Sequence, residues 1–143
     1  MSKKCLYYFF MFDNDFYKSL KLPSFVPKPV VFKYVWTILY FLMFCSLLLI
    51  LFGENGNLKL YALALFLLQL FLNILWPVVF FLCENIRYAL CIALVLAFTV
   101  GLCVLFFLKI SVLAAFLFFP YFIWTLFAVF LNYALLRYNT WII

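Results

Sequence analysis

Four long, almost unbroken apolar runs constrain this chain more than any other feature: Val30 to Phe52, Leu60 to Cys83, Tyr88 to Leu108 and Val112 to Leu136. A helix rises about 1.5 Å per residue, so roughly 20 residues cross the ~30 Å hydrocarbon core of a bilayer. Each run is long enough. Strands of a membrane barrel would alternate apolar and polar residues over about ten positions, whereas these runs are apolar throughout. The links between them are short: Gly53-Glu54-Asn55-Gly56-Asn57, then Glu84-Asn85-Ile86-Arg87, then Lys109-Ile110-Ser111. Short links make consecutive helices antiparallel neighbours. The expected fold is an all-α integral membrane protein, a bundle with four clear transmembrane helices.

Composition agrees, since 73% of the residues are hydrophobic where soluble domains are roughly half apolar. No stretch outside the runs is long enough to build a water-soluble core. Residues 1–143 read as a single membrane domain, with a short N-terminal segment (1–15), a proline-containing loop (16–29), four transmembrane helices (30–136) and a tail (137–143). Within the first segment, Cys5 to Phe12 is apolar but too short to span, and Asp13-Asn14-Asp15 stops it. It lacks a signal-peptide cleavage pattern and reads as interfacial or partly inserted. Pro23, Pro27 and Pro29 oppose a regular helix in the loop, which is expected to lie stiff and extended against one mouth of the bundle. Trp141 reads as an interfacial anchor beyond the last span.

The formal net charge of +6 is unevenly spread. Lys3, Lys4, Lys18, Lys21, Lys28 and Lys33 precede or open the first run, Arg87 and Arg137 fall on the same side if the helices alternate, and Lys59 and Lys109 lie opposite. The positive-inside rule then places the loop and both termini in the cytoplasm. Anionic lipid would be attracted to that face, but a plain topology signal is the simpler reading. No nucleic-acid module uses the charge.

Metal and acid–base chemistry find few agents. The chain has no histidine, its five cysteines form no Cys-x-x-Cys pair, and no carboxylate lies within a run. Cys45, Cys91 and Cys103 read as small packing residues.

Polar residues inside the runs are the exception that needs a purpose, because an amide in hydrocarbon must find a partner or a ligand. Gln69, Asn73, Trp76 and Phe80 follow the three-four rhythm of one helix face, as do Tyr121, Trp124, Ala128, Leu131 and Asn132 in the last run. Trp36 and Tyr40 form the corresponding pair in the first. Pro77 and Pro120 are expected to kink their helices. Spacing alone leaves two readings open. The amides could join helices, at about 0.6 kcal/mol per contact, or aromatic walls with a few oriented polar groups could form a pocket for a flat apolar ligand.

At these residues the chain resembles the translocator protein family, TspO, also called the peripheral-type benzodiazepine receptor. The resemblance runs in order through Pro23-Ser24-Phe25-Val26-Pro27, Val35-Trp36-Thr37-Ile38-Leu39-Tyr40, Gln69 to Phe81, Pro120-Tyr121-Phe122-Ile123-Trp124, Phe127-Ala128 and Leu131-Asn132-Tyr133. It implies a bundle of five helices, usually a homodimer, that binds porphyrins, cholesterol or synthetic benzodiazepine-like ligands in a pocket closed by the first loop. Carried over by position, Trp36, Asn73, Tyr88, Trp124, Ala128 and Leu131 would line that pocket, with Phe32 near the loop. Leu131, Tyr133 and Arg137 fit a proposed sterol-recognition pattern. The family's first helix should precede Phe16, where fifteen residues with two aspartates leave the expectation of a shortened first span. Phe25 stands where the family usually has tryptophan, Pro27-Lys28 replaces its double proline, and its usual third-span aspartate is missing near Ile92.

The expected function is that of a TspO-like receptor or translocator for porphyrins and sterols, linked to tetrapyrrole transport or regulation. No cofactor is required, and the partners are a porphyrin or another flat apolar molecule, membrane lipid and a second copy of the chain. Some bacterial relatives are proposed to degrade porphyrin in light through the tryptophans matching Trp36 and Trp124. Without conventional acid–base groups the expectation here is a protein that is not an enzyme. A bacterial inner membrane is favoured over a mitochondrial outer membrane. The alternatives are a small membrane transporter, which would place an ionisable residue at mid-membrane whereas Glu54 and Glu84 sit at span ends, and a non-catalytic assembly subunit.

Overall fold

The computed structural model describes residues 19–54 and 56–139. Among them are four helices: α1 (Pro29–Leu51), α2 (Gly56–Pro77), α3 (Ile86–Ile110) and α4 (Val112–Tyr138). All are long and apolar enough to cross a membrane, and the chain is a multi-pass integral membrane protein. The short N-terminal apolar segment and Trp141 lie outside the described residues.

Local chemistry accounts for the helix ends. Pro29, expected in the loop, instead opens α1; its fixed φ suits the first turn, where its missing N–H would have had no helical partner. The Asn85 side chain accepts the Tyr88 N–H at 3.0 Å to start α3, and Ser111 accepts the Ala114 N–H at 3.2 Å to start α4. Both supply an acceptor to donors that a helix start leaves free. Gly56 leads into α2 with φ +45°, a left-handed conformation that glycine adopts without steric cost.

Pro77 cannot donate within α2, and the chain continues past it as a π-helical segment, Val78–Leu82, with the Cys83 N–H reaching back to the Val78 carbonyl at 3.0 Å. The expected proline irregularity thus takes the form of a widened turn. At Pro120, by contrast, α4 continues as an α-helix.

α3 packs most extensively on α4 and next on α2, while α1 leans on α4 and touches α2 lightly. Gly101 lies where α3 packs tightly on α4: a Cβ there would lie 3.1 Å from the Phe122 ring. Ala89, Ala93 and Ala97, all buried, precede it at four-residue spacing on the same face, and small residues let membrane helices approach closely.

The bundle has two unlike halves. In one, Met43, Ile50, Ala62, Phe66, Val100, Phe107, Ala114 and Phe118 form a packed core, where Ser46 also donates to the Ala114 carbonyl at 2.8 Å. In the other, the helices part around a cleft. Outward residues remain large and apolar, such as Tyr34 (65% exposed), Phe98 (69%) and Phe116 (72%), as a lipid-facing surface requires.

Candidate functional site

The cleft is built from the matching halves of all four helices. α1 supplies Phe32 and Trp36; α2 supplies Asn73 and Trp76, and the π segment adds Phe80. α3 supplies Ala93 and Leu96, and α4 contributes Trp124, Thr125, Ala128, Leu131, Asn132 and Leu135. About 650 Å³ of non-atom space lies in and directly in front of the cleft, its open surroundings included.

Aromatic rings form its walls and meet one another across it. Trp36 and Trp124 stand at 90° with centroids 6.2 Å apart, and the Phe32 ring meets Trp124 edge-on at 5.7 Å. Trp76 stacks on Phe80 at 5.1 Å, an i,i+4 pair continued through the π segment. Edge-to-face and offset geometries of this kind are favourable for aromatic quadrupoles.

The floor is polar but already occupied. Tyr40 donates its hydroxyl to Asn73 Oδ1 at 2.7 Å, and Asn73 Nδ2 donates to the Tyr121 hydroxyl. One amide thereby ties α1, α2 and α4 together. A second bridge lies nearer the mouth, where the Trp76 indole donates to Asn132 Oδ1 at 2.9 Å and Asn132 Nδ2 donates to the Ile86 carbonyl at 3.1 Å. Gln69, fully buried, points Nε2 at the Met43 sulfur, 3.6 Å away. Asn73 and Asn132 therefore join helices and also line the cleft.

Among the described residues, two buried side-chain polar atoms lack a hydrogen-bond partner, Gln69 Oε1 and Trp124 Nε1. Trp124 lines the cleft, so its indole N–H is a donor held among aromatic rings without an acceptor. None of the lining side chains is ionisable. Among the described residues, no group of three or more His, Cys, Asp or Glu comes together to hold a metal ion.

The mouth carries the charge. Lys21, Lys28, Lys33, Arg87 and Arg137 are exposed at the end of the bundle where the loop before α1 meets the start of α3 and the end of α4. That loop is not free: Leu20 is buried with Phe32, Phe80, Phe81, Ile86, Leu131 and Leu135, and Val26 packs against the same cluster.

Of the positions singled out by resemblance, Phe32, Trp36, Asn73, Trp124, Ala128 and Leu131 come together here. Tyr88 is not among the lining residues and is 65% exposed; on the first turn of α3 it points away from the face that carries buried Ala89. Leu131, Tyr133 and Arg137 do not share a face, because Leu131 is buried while Tyr133 and Arg137 are exposed. Trp76, Phe80 and Asn132 were marked by spacing but not assigned to the pocket. Ala93, Leu96, Thr125 and Leu135 carried no signal, being small or apolar residues on helices apolar all round.

Comparison with known proteins bears on this arrangement directly. The TspO/MBR family matches residues 6–138. The tryptophan-rich sensory protein of Cereibacter sphaeroides is 33% identical over 126 residues, covering 88% of this chain and 78% of the relative. The tryptophan-rich protein TspO of Chlorobaculum tepidum is 34% identical, covering 87% and 79%, and that of Archaeoglobus fulgidus is 34% identical, covering 88% and 81%. With four apolar helices around a tryptophan-lined cleft, and this match over nearly its whole length, the chain belongs to the TspO/MBR family of membrane proteins.

Proposed function

We propose that this protein is a membrane receptor or translocator for porphyrins, which it binds in the aromatic cleft without catalysing a reaction of its own, in a bacterial inner membrane and as a homodimer. The observation that carries the reading is the Trp124 indole N–H, without a partner among the described residues and set among the rings of Phe32, Trp36 and Phe127. A buried donor without an acceptor is costly, and a ligand that offers an acceptor while covering the rings would remove that cost. A porphyrin has a flat π-surface and carboxylate side chains that accept hydrogen bonds.

Stacking between Trp36 and Trp124 requires about 7 Å between parallel rings, twice the ~3.5 Å contact distance, whereas the indoles stand perpendicular at 6.2 Å. Binding therefore turns at least one indole. The cations at the mouth suit the propionate groups of such a ligand.

The reading is tested by titrating protoporphyrin IX into the purified protein and following tryptophan fluorescence. Saturable quenching is expected, and Trp124→Ala should weaken binding by about 1 kcal/mol or more, the ordinary worth of an aromatic contact. Trp124→Phe should retain part of the stacking but none of the hydrogen bond. Identical titration curves for all three proteins would refute the assignment.

A further inference from the structure

The amide of Asn139 lies outside the cleft, and ligand recognition makes no use of it. Asn139 closes α4 and is fully buried. Its Oδ1 accepts the Lys21 backbone N–H at 2.8 Å, while its Nδ2 donates to the Lys21 carbonyl at 3.0 Å and to the Leu135 carbonyl at 2.8 Å. A side-chain amide offers a donor and an acceptor side by side, and here both are spent on one residue that is distant in the chain. Because the partner atoms are backbone, the side chain of residue 21 is irrelevant to the bond and remains exposed. The side chain of residue 139 is essential to it.

The clasp holds a strap that covers functional ground. On one side of Lys21, Leu20 is 6% exposed and buried with Phe32, Phe80, Leu131 and Leu135, all four of which also line the cleft. On the other, Phe25 packs its ring on Phe130 of α4 at 5.2 Å. These apolar contacts are non-directional and tolerate sliding. The paired hydrogen bonds are directional and fix the register of the strap against the end of α4.

We propose that the Asn139–Lys21 clasp latches this strap over the cleft and that its opening sets how fast a ligand exchanges. The gate rests on the ligand-binding reading; the latch does not.

Asn139→Gly removes the clasp together with the side-chain bond to the Leu135 carbonyl, while the backbone N–H of residue 139 still reaches that carbonyl at 3.1 Å and keeps the end of α4 capped. In nanodiscs without ligand, trypsin cleavage after Lys21, mapped by mass spectrometry, should accelerate about tenfold, as the loss of two hydrogen bonds implies. Asn139→Asp, which sets a buried carboxylate oxygen against the Lys21 and Leu135 carbonyls at a helix C-terminus, should be cleaved at least as fast as Asn139→Gly. In stopped-flow mixing with protoporphyrin IX, the association and dissociation rates of the Gly variant should rise together, leaving Kd little changed.

Equal cleavage rates in wild type and Asn139→Gly would overturn the latch. Faster cleavage with unchanged exchange rates would overturn the gate, as would faster dissociation alone, which would make Asn139 part of the binding surface. A wild type that does not bind protoporphyrin IX would end the ligand-binding reading and the gate with it, while cleavage would still decide the latch.

Discussion

Asn73 shows how one side chain can serve a fold and a site together. Its oxygen takes the Tyr40 hydroxyl and its nitrogen serves Tyr121, so three helices meet at an amide that also forms the cleft floor. An average interhelical hydrogen bond in a membrane contributes about 0.6 kcal/mol, but removing a shared partner leaves buried groups unsatisfied, at about 1–3 kcal/mol. Asn73→Leu should therefore destabilise the bundle by more than one bond's worth, measured by thermal unfolding in detergent. Combining it with Tyr40→Phe and Tyr121→Phe should recover most of the loss, because the orphaned hydroxyls are then gone. If the triple variant is less stable than Asn73→Leu, the cost comes from packing instead. The same absence of charge in the cleft lining predicts its pH behaviour. With no ionisable side chain lining the cleft among the described residues, affinity for a porphyrin dimethyl ester, which lacks the propionate charges, should be flat between about pH 5 and 8. A sigmoidal change in affinity over that range would place a titrating group at the site.

The helices differ in how much of their role could be read in advance. Their existence followed from length and unbroken apolarity, and the cleft faces of α1, α2 and α4 from polar and aromatic residues at helical spacing, since a polar atom in hydrocarbon must point inward. α3 carries few such marks. It is apolar on every side, so neither the lining by Ala93 and Leu96 nor the outward turn of Tyr88 was legible, and resemblance placed Tyr88 in the pocket where geometry does not. What distinguishes the inner face of α3 is size: Ala89, Ala93, Ala97 and Gly101 recur every four residues. The strap's attachment was equally hidden, because Asn139 bonds to backbone atoms 118 residues away and backbone carries no sequence signal. The small-residue seam predicts a graded response. Gly101→Ala places a methyl 3.1 Å from Phe122, which a shift of a few tenths of an ångström relieves, and should cost under about 1 kcal/mol. Gly101→Leu overpacks the seam and should cost about 1–3 kcal/mol, read as a lowered unfolding midpoint in detergent. Equal stability of the two variants would mean that α3 and α4 are not held at contact distance.

At the scale of the whole molecule, the two unlike halves determine what the cleft can communicate with. One half is filled by Phe66, Phe107 and Phe118, with Phe107 and Phe118 only 5.0 Å apart between centroids, and it gives a ligand no path along the bundle axis. The other half holds the cleft and lies at the end bearing the strap. A bundle closed on one side suits a receptor that samples a single face of the membrane, and translocation would require the packed half to rearrange. Which face is sampled follows from charge. Among the described residues Lys21, Lys28, Lys33, Arg87 and Arg137 lie at the strap end, against Lys59 and Lys109 at the other, and an excess of Lys and Arg in short flanking segments retains a segment on the cytoplasmic side. The cleft should therefore open towards the cytoplasm. Single cysteines replacing Arg137 and Lys59, in a chain whose native cysteines are changed to serine or alanine, test this in intact bacterial cells. An impermeant maleimide should label Lys59→Cys readily and Arg137→Cys only after the cells are opened. The opposite pattern would turn the molecule over, place the mouth outside the cell, and require the ligand to arrive from there.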